Sequence, residues 1–248
     1  VILWLTTIPA SVLAEFPDSA TGACQKAFFD VRPGGSARTP GVIAPNKRYR
    51  AWSEGVWLRT PDLFQTAIIV HDKTADRVET IFRTRADKAG HVVGPAGQVL
   101  AHANADEFCV VDWSRDSKYL FVSELIGPTE SDNTTIHLWI YDLQRKRRFL
   151  VQQAPLRRAI ENYWIRKGAN FRDVSYVLSP EGWQDSDVPR PAFTATVLEG
   201  SPTAFPQGFD GFLGAWSVGL SGDAPRLLTE NRAANVMKRY GAVESKQP

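Results

Sequence analysis

Asp112-Trp113-Ser114-Arg115-Asp116-Ser117-Lys118-Tyr119-Leu120-Phe121-Val122-Ser123-Glu124, followed by the apolar run Ile136-His137-Leu138-Trp139-Ile140-Tyr141-Asp142, is the stretch from which the rest of the chain is read. It has an earlier counterpart in Asn46-Lys47-Arg48-Tyr49-Arg50-Ala51-Trp52-Ser53-Glu54 and Ala67-Ile68-Ile69-Val70-His71-Asp72. The copies align without a gap, 70 residues apart: Tyr49 falls on Tyr119, Ser53-Glu54 on Ser123-Glu124, Asp72 on Asp142 and Arg77 on Arg147. Self-similarity at a fixed spacing marks a repeated supersecondary unit. Each copy reads as four short strands in sequence order, a four-stranded antiparallel meander that must stack on neighbours to cover its edge and apolar face.

Outward from these units, near 41–83 and 108–152, the pattern weakens. Lys26 to Val31 reads as a strand after a Gly- and Pro-rich start, and Gln98 to His102 as a weak one. Leu156 to Ile165 suits either a single helical turn or a bent strand. Val174 to Leu178, Ala192 to Leu198, Phe212 to Leu220 and Pro225 to Thr229 are strand candidates, which together form a degenerate third unit over 160–229. Arg232 to Tyr240 is expected to be a short helix ahead of a frayed tail, so that 231–248 closes a domain spanning 15–230.

The segment Trp113 to Val122, with Leu138 to Leu143 after it, resembles the WD-like β-propeller repeat of bacterial periplasmic proteins and of prolyl oligopeptidase propellers. In that family a W-S-P-D-G-K-Y motif joins the first two strands of a blade, and an apolar run ending in Asp-Leu leads to the third turn. Here Arg115 stands for the Pro, and Ser117 and Lys47 for the turn Gly. The resemblance implies an all-β, propeller-like array of four-stranded meanders, and a β-sandwich made of the same hairpins is the alternative. It implies no function, since propellers host many.

Composition narrows the field only coarsely. With 248 residues, 43% of them hydrophobic, the chain can bury a core, and 8 Trp, 6 Tyr and 13 Phe against one Met favour pleated sheets. A formal charge of +2 is too small for a nucleic-acid surface. The apolar, uncharged stretch from Val1 to Leu13, ending in Val12-Leu13-Ala14, resembles a signal peptide without its start, residues 1–14, and a buried first strand is the other reading. The first reading makes the protein periplasmic or secreted and, once the signal is removed, not integral to a membrane. Cys24 and Cys109 are too few for a four-cysteine metal site and can form one disulfide.

Chemistry is sparsely marked. His71, His91, His102 and His137 show no H-E-x-x-H or H-x-H spacing, so no metal site is expected. Gly214 to Gly219 misses the G-x-S-x-G elbow, and there is no phosphate-binding glycine loop, so no cofactor is expected. The repeat places Glu54 and Glu124 at the same end of the second strand, where carboxylates either bind a partner or simply end the strand. Trp52 and Trp57 near Glu54 offer a stacking surface for a sugar or peptide, or else anchor the blade. Arg145-Lys146-Arg147-Arg148 reads as a patch for an anionic partner or as a solvated turn. The expected function is a non-catalytic binding or assembly module recognising a protein or glycan. The alternatives are a polysaccharide hydrolase or lyase using Glu54 or Glu124 with a histidine, or the propeller piece of a larger enzyme.

Overall fold

The computed structural model of the chain describes Cys24 and residues 26–28, 30–100, 103–128, 135–220, 223–230 and 236–244. The stretch read as a signal peptide and His102 lie outside these residues. β1 (Ser36–Arg38) and β2 (Val42–Ile43) pair with β3 (Tyr49–Arg59), which continues through β4 (Asp62–Asp72) to β5 (Arg77–Arg83) as the first antiparallel meander. A small hairpin, β6 (Val92–Val93) and β7 (Val99–Leu100), leads to the second. That meander comprises β8 (Ala105–Trp113), β9 (Tyr119–Gly127), β10 (Thr135–Asp142) and β11 (Arg147–Leu150). After helix α1 (Gln153–Ile165), a third is built from β12 (Ser175–Gln184), β13 (Pro191–Glu199), β14 (Phe212–Ser217) and β15 (Arg226–Thr229). The protein is all-β with several sheets.

The duplication is one of backbone as well as of letters. Tyr49 faces Asp72 as Tyr119 faces Asp142. Lys47 and Ser117 take left-handed φ values of 59° and 60°, and Asp76 and Lys146 take 46° and 50°. Residues with side chains thus occupy turn positions that glycine adopts at no steric cost. Asp72 Oδ1 accepts the N–H groups of Thr74 and Ala75, and Asp142 Oδ1 those of Gln144 and Arg145. Such local side-chain bonds fix a tight turn between the third and fourth strands of each copy.

Successive meanders pack face to face, the first two as parts of one 10-stranded sheet and the third within a separate five-stranded sheet. Ala51, Ile68, Val70 and Phe82 of the first meet Phe108, Val110, Leu120 and Val122 of the second. The opposite face of the second, through Val111, Phe121, Leu138 and Ile140, meets Trp183, Phe193, Leu213 and Trp216 of the third. β4 and β8 also run parallel over two residue pairs, Phe64 with Ala105 and Gln65 with Asp106, so hydrogen bonding passes from the first meander into the second. At this seam the Phe108 N–H bonds the Thr66 hydroxyl (2.6 Å), which in turn donates to the Asp106 carbonyl (2.8 Å).

The last described segment crosses all three units. β16 (Met237–Lys238) pairs with β12 of the third meander, and β17 (Ala242–Val243) with β2 of the first. Between them the amides of Tyr240 and Gly241 donate to the two carboxylate oxygens of Asp112 in the second, at 2.9 and 2.8 Å. The helix expected over Arg232 to Tyr240 is therefore corrected at Met237–Lys238, and residues 231–235 lie outside the described ones. Two further differences concern local signals. Lys26–Phe28 is helical rather than extended, in a segment held by a disulfide from Cys24 to Cys109 in β8. α1 runs for 13 residues and buries Leu156, Ile160 and Trp164 along one stripe. Pro155 is tolerated in its first turn, where N–H groups have no helical partner, and Gly168 at φ 94° follows its end. No helix among the described residues is long and apolar enough to cross a membrane.

Candidate functional site

Glu124 is the first of the expected site residues to acquire partners. It lies in β9 opposite Phe108 and His137, on the face turned toward the first sheet, and is 4% exposed. Its Oε2 accepts the indole N–H of Trp139 (2.8 Å) and lies 3.2 Å from His137 Nδ1, without the alignment of a hydrogen bond. Asp106 on β8 belongs to the same buried cluster, and its Oδ1 has no hydrogen-bond partner. Burial, and then the neighbouring charge of Glu124, hold Asp106 well above the ordinary carboxylate range. A carboxylate, a histidine and a second acid that favours its neutral form are the ingredients of general acid–base chemistry. Both acids are buried where the first two meanders face one another, and the His137 side chain is partly exposed, with Phe82, Phe108 and Trp139 packed beside them.

Glu54 keeps the repeat position and loses the setting. It accepts the indole N–H of Trp52 (2.7 Å), as Glu124 does that of Trp139, but it is exposed on the face of the first sheet turned away from the second. Trp52 offers no open face. Arg38 and Arg50 place their guanidinium groups 4.2 and 5.0 Å from its ring. Trp57 points to the other side of β3, so Trp52, Glu54, Trp57 and Glu124 occupy three places rather than one.

Trp57 lines an open cleft of about 570 Å³ at the β3–β4 hairpin, together with Arg32, Pro33, Arg59, Asp62, Asn104 and Pro128. Its indole N–H donates to Asp62 Oδ1 (2.6 Å), and its ring meets Phe64 edge-on at 6.1 Å. Asn104 Nδ2 donates to Asp62 Oδ2 (3.3 Å), and Arg59 Nε to the Pro33 carbonyl (3.0 Å). Four separate segments of chain thus meet here. Beneath them Cys24, Phe28, Phe64, Ala105 and Cys109 form a buried cluster against which Trp57 packs. Comparison with known proteins adds nothing to this geometry: neither a protein-family model nor a curated protein matches the chain.

The cationic run is divided among its neighbours. Arg145 donates to Asp142 (3.4 Å), Lys146 reaches Glu79 of the first sheet (3.2 Å), Arg147 lies 5.6 Å from the Phe149 ring, and Arg148 lies 4.8 Å from the Phe82 ring. A second concavity, of about 400 Å³, separates the second and third sheets and is lined by Tyr119, Phe149, Val151, Pro191, Leu220 and Pro225 among others. Among the described residues no group of three or more His, Cys, Asp or Glu side chains is placed to hold a metal ion. Sequence reasoning missed Arg32, Arg59, Asp62 and Asn104, which have no common spacing. It also missed Asp106, which carries no motif.

Proposed function

We propose that this is an exported, non-catalytic binding module built of propeller-like blades, recognising a glycan or protein through the loops around Trp57. One observation carries the reading: the Trp57 cleft is open and assembled from four chain segments, whereas Asp106 and Glu124 are buried and only the His137 side chain beside them is partly exposed. Recognition sites commonly join a fixed aromatic surface to a few placed polar groups. The blade reading draws support from the recurrence of register and turn geometry at the repeat spacing, and from packing in chain order. Export is supported by the Cys24–Cys109 disulfide, because such bonds persist in oxidising compartments. An array of neutral and acidic oligosaccharides and peptides, probed with the wild-type chain and Trp57→Ala, tests the module. Array members bound by the former and lost by the latter are expected, and binding that never depends on Trp57 would remove this reading.

A second reading, polysaccharide hydrolysis or elimination by Glu124 with His137, is favoured by their 3.2 Å approach beside Asp106. It needs solvent access to Glu124 and Asp106 between the first two meanders. Turnover of a polysaccharide that Glu124→Gln abolishes while the fold is kept would replace the binding reading with this one.

A further inference from the structure

We infer that the Trp57 cleft takes an acidic saccharide, its sugar face on the indole and a hexuronate carboxylate between Arg32 and Arg59. The inference rests on the binding-module reading and adds the chemical class of the ligand. Charge is the first ground. Two guanidinium groups and one carboxylate line the cleft, and both oxygens of that carboxylate, Asp62, are engaged by Trp57 and Asn104. Arg59 is anchored through Nε on the Pro33 carbonyl, so its terminal nitrogens remain for a ligand. The Arg32 side chain is exposed, and among the described residues its guanidinium bonds nothing. A guanidinium presents parallel N–H groups that match a carboxylate, which makes paired arginines an anion site of defined geometry.

The aromatic wall is the second ground. The Trp57 indole is held at its N–H by Asp62 and at its edge by Phe64, so its orientation is set before a ligand arrives. A fixed ring loses little entropy on binding. Asp62 and Asn104 lie at the polar edge of that ring, and a carboxylate can accept more than the two bonds it already takes. Apolar C–H groups over the ring and hydroxyls at its edge are the two surfaces of a pyranose.

The backbone distinguishes a sugar from an extended peptide. Peptides that add to a sheet need unpaired main-chain groups on an edge. At Trp57 these are taken: its N–H donates to the Gly35 carbonyl (3.0 Å), and its carbonyl accepts the Gly34 N–H (2.7 Å). On the other side the hairpin pairs through to Arg59 and Asp62.

Calorimetry of the full, oxidised chain with trigalacturonate, its methyl ester and hexaglutamate tests the inference. Trigalacturonate is expected to bind, with the ester about tenfold weaker or worse. Trp57→Ala and Arg32→Gln should each weaken the acid by a similar factor, while Trp57→Phe retains most of the affinity. Arg32→Gln removes an exposed, unbonded side chain and leaves the fold intact. Ester binding as tight as the acid would end the anionic assignment and leave the binding module standing. Hexaglutamate binding as tight as the saccharide and indifferent to Trp57→Ala would make this an anionic-peptide surface. Absence of trigalacturonate binding at about 1 mM overturns the inference alone if the array holds a Trp57-dependent ligand, and overturns both readings if it does not.

Discussion

Asp112 is a buried acid whose two oxygens both accept main-chain N–H groups, from Tyr240 and Gly241. Asparagine has one acceptor and would turn an amide N–H toward the other donor. Asp112→Asn is therefore expected to cost ~2 kcal/mol and to speed hydrogen exchange at Tyr240 and Gly241 ahead of the rest. Unchanged exchange at those amides would show that the carboxylate does not anchor the segment. Burial pushes Asp112 up to about 6 and Asp106 well above its ordinary value. Both folded values lie above the unfolded ones, so the folded chain takes these protons at higher pH than the unfolded chain. Their contribution to stability thus rises as pH falls from about 7 toward 4. Asp106→Asn, which abolishes one of these titrations, should be the more stable protein at neutral pH. That advantage should shrink in urea melts near pH 5. A variant less stable than wild type at neutral pH would mean that the Asp106 charge is compensated rather than costly.

At the scale of elements, two attachments hold the ends of the described chain. The disulfide joins Cys24 and Cys109 across a sequence separation of 85, and constraining an unfolded loop of that length is worth about 4–5 kcal/mol. Reduction should lower the urea midpoint accordingly, and an unmoved midpoint would mean that the cover over Phe64 and Ala105 packs without the bridge. The C-terminal segment depends on close backbone approach. Gly182 in β12 has φ 125°, and a Cβ there would lie 2.9 Å from the Lys238 carbonyl. Gly182→Ala should cost ~2 kcal/mol and release β16 from β12, seen as faster protease cleavage after Lys238. Equal cleavage rates in the two proteins would count against the close approach as the constraint.

Across the whole molecule, position in the stack decides what a repeated residue becomes. Glu54 and Glu124 share a strand position and each accept an indole N–H, yet only Glu124 is covered by a preceding meander. Glu54→Ala should change stability by no more than about 0.5 kcal/mol. Glu124→Ala leaves the Trp139 N–H without its bond inside the protein and should cost ~2 kcal/mol. Equal effects in thermal melts would contradict the stacking account. The same dependence on assembly explains the Trp57 cleft, whose floor is the disulfide cluster and whose walls come from distant segments.

The all-β class, the two strong meanders and their turns were legible along the chain. Period-two alternation, the turn-forming Asp72 and Asp142, and the aligned Tyr49 and Tyr119 act between residues near one another in the chain. The 13 residues of α1 were less legible, because their apolar stripe is narrow and Pro155 interrupts its start. Long-range packing alone brings Met237–Lys238 to β12, buries Glu124 with Asp106 beside His137, and gathers Arg32, Trp57, Asp62 and Asn104 at one cleft. Those outcomes follow from long-range pairing and from which face of a sheet is covered, and neither leaves a fixed spacing in the chain.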